Sequence, residues 1–499
     1  MDGQRERATR RDILTGAVAA ACASMIAGPA KAAGDNGGAG ANTSRAAESP
    51  LPFDPGPLPK GGREVFAHWH FFPISIDNQS PGADYYDREY MRPGAGASAN
   101  LMFGSFIRER PLPRPPIAAA DWLVVDLEQD LNWAAAIGLD GFFFNILTID
   151  ASSPFWKLLI NMLDATQRSG TAMRVIPNLD ATLLASQPVA KIAAAIKSVA
   201  GHGGMLRRAD GRLVLGAFAA ETWPAENWLD LFANLRSQDV SIEFVPTFLN
   251  ATAADATHWQ LADMVSEWSA NYLDGVANLD AARALSRTRQ KKWCSPVWPQ
   301  DFRPKDGVFG EAGNSRLFRE AWMAAIRGAA DCAQLLTWND YSESSAVRPS
   351  SGIQYSFYDL AAYYIAWFKT GQAPPIQRDV LYYFHRTQPA VGKGLGTAQS
   401  SVFSLRWGRR VLNEIELLAF LARPGRIEIE IAGTTRSLDA PAGITQLTTP
   451  LQPGRPVFRL IRDGRVEIAC ESAFAIVDEA PYQNLLYHGG SSSRPAEKG

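Results

Sequence analysis

Carboxyl and amide side chains crowd the stretch Leu335-Leu336-Thr337-Trp338-Asn339-Asp340-Tyr341-Ser342-Glu343-Ser344. The apolar run Ala333-Gln334-Leu335-Leu336 that leads into it reads as a buried strand. A strand that delivers Asp340 and Glu343 to its own end suits acid–base chemistry, in which one carboxyl holds a proton while its neighbour stays ionised. Side chains three apart on a straight strand point to opposite faces, so the two acids share a cleft only where the chain turns between them. A polar turn after a core strand uses the same residue types to satisfy its own backbone. The surrounding elements decide between these readings.

Apolar strand patterns recur at 65–70, 142–147, 173–178, 213–218, 242–248, 264–268, 293–298 and 333–336. Helical patterns separate most of them, near 122–137, 154–168, 188–200, 225–236, 277–288 and 314–329, and a last one spans 357–369. Strands alternating with helices imply a parallel sheet, and eight such units over 63–375 imply an α/β fold of the (β/α)8 TIM barrel type. An open doubly wound sheet would place a Gly-rich phosphate turn after its first strand, and none follows 65–70. The long segment 77–120 is a loop with little periodicity. Beyond 376 the strands alternate in period two between Gly and Pro turns, which predicts a C-terminal antiparallel β-sandwich over 376–488 and a disordered polar tail over 489–499.

Barrel strands end at the catalytic face. Those ends carry His68 and Trp69, Asn145, Asn178 and Asp180, Glu221 and Trp223, Asn250, Glu267 and Trp268, Trp298 and Asp301, then Trp338, Asn339, Asp340 and Glu343. No zinc-ligand spacing, Ser-His-Asp elbow, phosphate cradle or Schiff-base lysine accompanies them, so no metal and no cofactor is expected. A single Trp at such a position is more often core packing. Several at consecutive strand ends, mixed with carboxyls and amides, suit a sugar, whose C–H face lies on indole while polar groups take its hydroxyls. His68, Trp69, Asn145, Asp180, Glu221, Glu267, Trp268, Trp298, Trp338 and Asn339 are therefore the expected substrate contacts. Asp340, Glu343, Glu221 and Glu267 are the strand-end carboxyls from which acid–base chemistry could draw a pair. Glycoside hydrolysis needs one acid and one carboxylate, held about 6.5–9.5 Å apart when water attacks directly.

Charge and targeting signals agree with such a substrate. With 49 basic against 51 acidic residues the chain has no basic field for nucleic acid, and a neutral polysaccharide or oligosaccharide is the expected partner. Thr9-Arg10-Arg11-Asp12-Ile13-Leu14 fits a twin-arginine signal, followed by an Ala-rich run and the small residues of Ala30-Lys31-Ala32. Residues 1–32 thus read as a signal peptide, too short and weakly apolar to span a membrane, and 33–62 as a disordered linker. The expected destination is the periplasm or the exterior of a bacterium. Cys22 leaves with the signal, and Cys294, Cys332 and Cys470 read as thiols whose spacing supports no disulfide.

The residues also carry a resemblance. Val65-Phe66-Ala67-His68, Gly138-Leu139-Asp140-Gly141-Phe142 leading to Asn145, and above all Thr337-Trp338-Asn339-Asp340-Tyr341-Ser342-Glu343-Ser344 resemble the family 71 glycoside hydrolases, the α-1,3-glucanases or mutanases. The likeness covers roughly 63–375. It implies a barrel with a C-terminal β-domain, an inverting hydrolysis of α-1,3-glucan, and Asp340 and Glu343 as the catalytic carboxyls. The chain departs from the family at Ser342, where Gly is usual, and at Ser345, where His is usual. Two other readings compete: a non-catalytic glycan-binding barrel, and a hydrolase of another α-linked polymer such as mannan or an exopolysaccharide.

Overall fold

The computed structural model describes residues 49–59, 61–71, 86, 90–94 and 101–496. The expected signal peptide lies outside the described residues, as do the first part of the expected linker and much of 77–100. Eight parallel strands close a barrel: β1 (Glu64–Trp69), β2 (Gly141–Ile146), β3 (Arg174–Asp180), β4 (Leu213–Phe218), β5 (Ile242–Phe248), β6 (Met264–Glu267), β7 (Lys292–Val297) and, after a hairpin of β8 (Asp301–Arg303) and β9 (Val308–Gly310), β10 (Cys332–Leu335). β10 closes the ring by pairing with β7 and β1. Around it lie α1 (Trp122–Ala136), α2 (Pro154–Arg168), α3 (Val189–Ala200), α4 (Ala225–Arg236), α5 (Ala256–Leu261), α6 (Leu279–Thr288), α7 (Arg316–Arg327) and α8 (Ser356–Thr370).

Period two divides every strand between two environments. Val65, Ala67 and Trp69 of β1 join the core under the helices, as do Phe142 and Phe144 of β2 and Ala333 and Leu335 of β10. The intervening positions face inward. Phe66, Phe143, Ile176, Val214, Val245, Met264, Cys294 and Cys332 supply one side chain per strand to a single apolar layer that fills the barrel. Two residues further along, the inward positions turn polar: His68, Asn145, Asn178, Thr247, Ser266 and Gln334, all buried. The barrel is therefore floored with hydrocarbon and polar above.

The C-terminal region holds β11 (Val380–His385), β12 (Ser404–Trp407), β13 (Glu414–Leu421), β14 (Gly425–Ile431), β15 (Thr434–Ala440), β16 (Gly443–Pro450), β17 (Val457–Arg462), β18 (Arg465–Glu471) and β19 (His488–Ser491). Two antiparallel sheets, ordered β16-β13-β11-β19 and β15-β14-β17-β18, bury Leu381, Leu417, Ile427, Ile429, Phe458 and Leu460 between them. β12 leaves the sandwich and pairs in parallel with β9, making a three-stranded sheet β12-β9-β8.

Two expectations of disorder need correction. Residues 489–491 are not tail but the end of β19, paired with β11. A Cβ at Gly489 would strike the Ser356 hydroxyl and one at Gly490 the Tyr383 hydroxyl. The missing side chains that suggested a tail are what let the strand pass there. Arg494, beyond it, binds Asp359 at 3.0 Å. At the other end, 49–59 does not run as free linker. Phe53 is fully buried, edge-on to Tyr363 at 5.4 Å, and Arg378 donates to the Leu51 carbonyl at 2.8 Å. One aromatic anchor outweighs the Pro- and Gly-rich composition. Among the described residues no helix is long and apolar enough to cross a membrane.

Gly141 opens β2 where a Cβ would fall on the Arg174 carbonyl oxygen of β3. Gly141→Ala should therefore destabilise the protein by about 1–3 kcal/mol or more, read as a lowered Tm; an unchanged Tm would contradict the tight β2–β3 approach.

Candidate active site

The chain turns sharply after β10. Thr337 N donates to the Ser345 carbonyl at 2.8 Å and Trp338 N to that of His68 at 2.8 Å, so the 337–345 loop closes on itself and on the end of β1. Thr337 Oγ1 accepts from Asp340 N at 2.8 Å. Asp340 Oδ1 then accepts from Ser342 N, Ser342 Oγ and Glu343 N at 2.9, 2.8 and 3.0 Å, an Asx turn that reverses the chain between the two acids. Ser344 completes the reversal at φ +50°, in the left-handed region. This turn is the condition under which residues three apart can face one cleft.

Asp340 and Glu343 share two basic neighbours. His70 Nε2 lies 3.7 Å from Asp340 Oδ2, and Lys305 Nζ lies 3.0 Å from Glu343 Oε1. The fields of both acids act on both of those bases. Lys305 comes from the β8–β9 hairpin, which also supplies Arg303. The Arg303 guanidinium grips Glu343 through two bonds, 3.1 Å to Oε1 and 2.9 Å to Oε2, and turns its Nε to Asp301 Oδ1 at 2.6 Å. Asn271 Nδ2 bonds the other Asp301 oxygen. The hairpin is tied to the same loop by backbone: Phe302 N donates to the Glu343 carbonyl at 2.9 Å.

Electrostatics sets Glu343 apart from Asp301. Burial favours a neutral Glu343, but Arg303 and Lys305 outweigh it and hold the carboxyl down at about 2. Asp301, nearby, moves the other way: burial pushes it up to about 6 against the pull of Arg303. His68 is driven down to about 3 by burial and by His70, so its imidazole is neutral, packed edge-on against Trp268 at 4.9 Å. The acids themselves are nearly closed off, with side-chain exposures of 4% for Asp340 and 11% for Glu343.

The other sequence candidates divide. His68, Asn145 and Trp268 belong to the polar end of the barrel, and Trp268 is half-buried. Asn178 Nδ2 donates to Asn145 Oδ1 at 3.2 Å, and Asn145 bonds Asp180 in turn. Asp180 also caps a helical turn by accepting from Thr182 N and Leu183 N. Glu221 and Glu267 hold the loop after β5 through Leu249 N at 2.6 Å and Ala251 N at 3.1 Å. Asn339 clamps the backbone of His70 from both sides, at 2.7 and 2.9 Å.

The indoles need correction. Trp69 does not reach the cleft; it is fully buried outside the barrel wall, stacked on Phe144 at 4.8 Å and bonded to Asp130 at 3.0 Å. His68 faces inward, so its neighbour cannot. Trp338 is likewise fully buried, against Phe142 and Tyr358. Trp298 lies fully buried, edge-on to Trp268 at 5.1 Å, with no surface for a ligand. Trp223 is buried against Trp228. Of the strand-end indoles only Trp268 keeps part of its surface.

Sequence reasoning missed Arg303 and Lys305. A signal was present: Asp306-Gly307, with Phe302 and Phe309 on either side, is a hairpin turn pattern, and Gly307 takes φ +69°. Read as a hairpin, 301–310 would have placed two cations beside the strand-eight acids.

The depressed Glu343 value makes stability depend on pH. Its contribution is present above its ordinary value of 4.5 and is lost as pH falls toward about 2. In urea titrations the stability gap between the wild type and Glu343→Gln should narrow from about pH 5 down to about pH 3; a constant gap would refute the ion-pair origin.

Comparison with known proteins bears on this geometry. The glycosyl hydrolase family 71 profile matches residues 117–492. A mutanase of Penicillium rubens is 23% identical over 74% of this chain and 86% of its own. A glucan endo-1,3-α-glucosidase of Schizosaccharomyces pombe is 23% identical over 75% and 91%. Among solved structures, the GH99 endo-α-mannosidase of Bacteroides thetaiotaomicron aligns with a TM-score of 0.47 at 12% identity, covering 62% of this chain and 98% of that one. With three quarters of its length inside the family profile, the chain is a glycoside hydrolase and belongs to family 71.

Proposed function

We propose that this enzyme cleaves α-1,3-glucan with inversion of configuration, using Glu343 as the base and Asp340 as the acid. The family and the relatives' names support the polymer. The single observation that carries the division of roles is the double grip of Arg303 and Lys305 on Glu343. Keeping a proton on such a carboxyl near neutral pH costs several kcal/mol, at about 1.4 kcal/mol per unit, so Glu343 is poorly placed to donate one. As a carboxylate it can take a proton from water as that water attacks the anomeric carbon. Asp340 supplies the other proton to the departing glycosidic oxygen, through the Oδ2 that faces His70. The C1–O bond breaks as the new one forms, and an α-linkage leaves a β-configured reducing end.

The polar layer beneath the acids supports a sugar ring at this point. Asn178 Oδ1, Ser266 Oγ, Gln334 Nε2 and His68 Nδ1 are buried and find no hydrogen-bond partner among the described residues. Buried polar groups are costly when unpaired, and sugar hydroxyls or ordered water would satisfy them. Of the strand-end indoles Trp268 alone is partly open, for the C–H face. The twin-arginine pattern supports export to the periplasm or beyond, where such a polymer would be met.

Asp340→Asn and Glu343→Gln should each cut hydrolysis of linear α-1,3-glucan at least about a thousandfold, with the circular dichroism of the folded enzyme retained even where Glu343→Gln lowers Tm; near-normal turnover in either would sink the assignment. Proton NMR of the first product should show the β-anomer, and an α-anomer would exclude inversion. Binding without any release of reducing sugar by the wild type would favour the non-catalytic reading. Lys305→Met should shift the acidic limb of the kcat/KM profile upward, toward the ordinary carboxylate range, because one of the two cations that depress Glu343 is gone; an unmoved limb would remove Glu343 from the base role.

A further inference from the structure

We infer that Glu311 is a positioning residue for catalysis, the point at which the C-terminal β-region holds the hairpin that holds Glu343. This rests on the reading of Glu343 as a catalytic carboxylate.

Glu311 directly follows β9 and is 3% exposed. Its two oxygens accept four bonds. Oε1 takes the Tyr487 hydroxyl at 2.5 Å and Gly313 N at 2.7 Å; Oε2 takes Arg386 Nη2 at 3.2 Å and Leu412 N at 3.0 Å. Three of those donors come from the chain beyond the barrel. Arg386 is itself buried, lies over the Tyr487 ring at 4.1 Å, and donates to the Leu412 and Leu485 carbonyls at 2.9 and 3.1 Å. Tyr487 reaches the start of the hairpin a second time, exchanging backbone bonds with the Gln300 side chain at 2.9 and 3.2 Å.

A carboxylate so bound, in the dry seam between two regions, fixes geometry in the way a buried charge does when every lone pair is used. What it fixes is the hairpin. β9 is pinned by Glu311 at one end and by β12 along its length; Phe302 and Phe309 pack with Phe403, Leu485 and Leu486. β8, antiparallel to β9, then carries Arg303 to Glu343 and lends Phe302 N to the Glu343 carbonyl. The path from sandwich to carboxylate is covalent or hydrogen-bonded at each step. Glu311 touches neither acid, so it acts only through the placement of Arg303 and Lys305.

The test uses Glu311→Gln and Tyr487→Phe in the full-length enzyme, the second removing one hydroxyl and leaving Arg386 paired. If the hairpin sets the reaction geometry, Tyr487→Phe should lower kcat several-fold, and Glu311→Gln between about tenfold and a hundredfold, since small misplacements at a distance carry such costs. KM should stay within about twofold. In both, the acidic limb of the pH profile should rise, as it does for Lys305→Met. A lower Tm with kcat and the acidic limb unchanged would overturn the inference and leave Glu311 a structural residue only. Should Glu311→Gln not fold, Tyr487→Phe decides alone by the same readouts. Activity retained in Glu343→Gln would instead defeat the catalytic reading of Glu343, a failure distinguishable from this one.

Discussion

The ion pair between Arg303 and Glu343 is the interaction on which the site depends. Both groups are almost wholly removed from water. A buried pair of this kind has to recover its desolvation cost through geometry, and the geometry here is two-pronged, with Lys305 on one oxygen and Asp301 steadying the guanidinium. Neither partner lies on a barrel strand. Arg303 ends β8 in an inserted hairpin, and Glu343 sits in the turn after β10. The barrel brings the two insertions side by side, and the C-terminal region stops the hairpin from moving away.

The barrel was legible because its signal is local and repeated. Helices at 154–168, 213–218 as strand, and 225–236 as helix match their observed limits because apolar periodicity changes cleanly at Pro154, Gly211 and Pro224. The turn at Asp340 was legible as the polar turn that Asn and Asp side chains favour after a core strand. The hairpin was not, since strands of three residues are too short for periodicity to register. Nor was β19, whose sequence His-Gly-Gly-Ser has no strand propensity of its own and is held by its neighbours.

The indoles show what composition alone cannot decide. Trp69 and His68 are adjacent, and each seemed a candidate by chemistry. Alternation along β1 sends one to the helix layer and the other to the barrel interior. Abundant Trp in this chain thickens the wall between strands and helices; at the polar end of the barrel, amides, hydroxyls and His68 point inward and only one strand-end indole, Trp268, stays half-buried. Exclusion of water from around the nearly closed pair of acids lowers the local dielectric, so that those few charges act strongly.

The apolar layer that fills the barrel has a consequence for traffic. Eight side chains, one per strand, leave no passage through the barrel axis. Water consumed by hydrolysis and the glycoside it cleaves must therefore approach from the polar side of that layer. The attacking water is either already seated when the glycoside arrives or slips in alongside it, and a substrate held tightly across that end becomes an obstacle to its own cleavage.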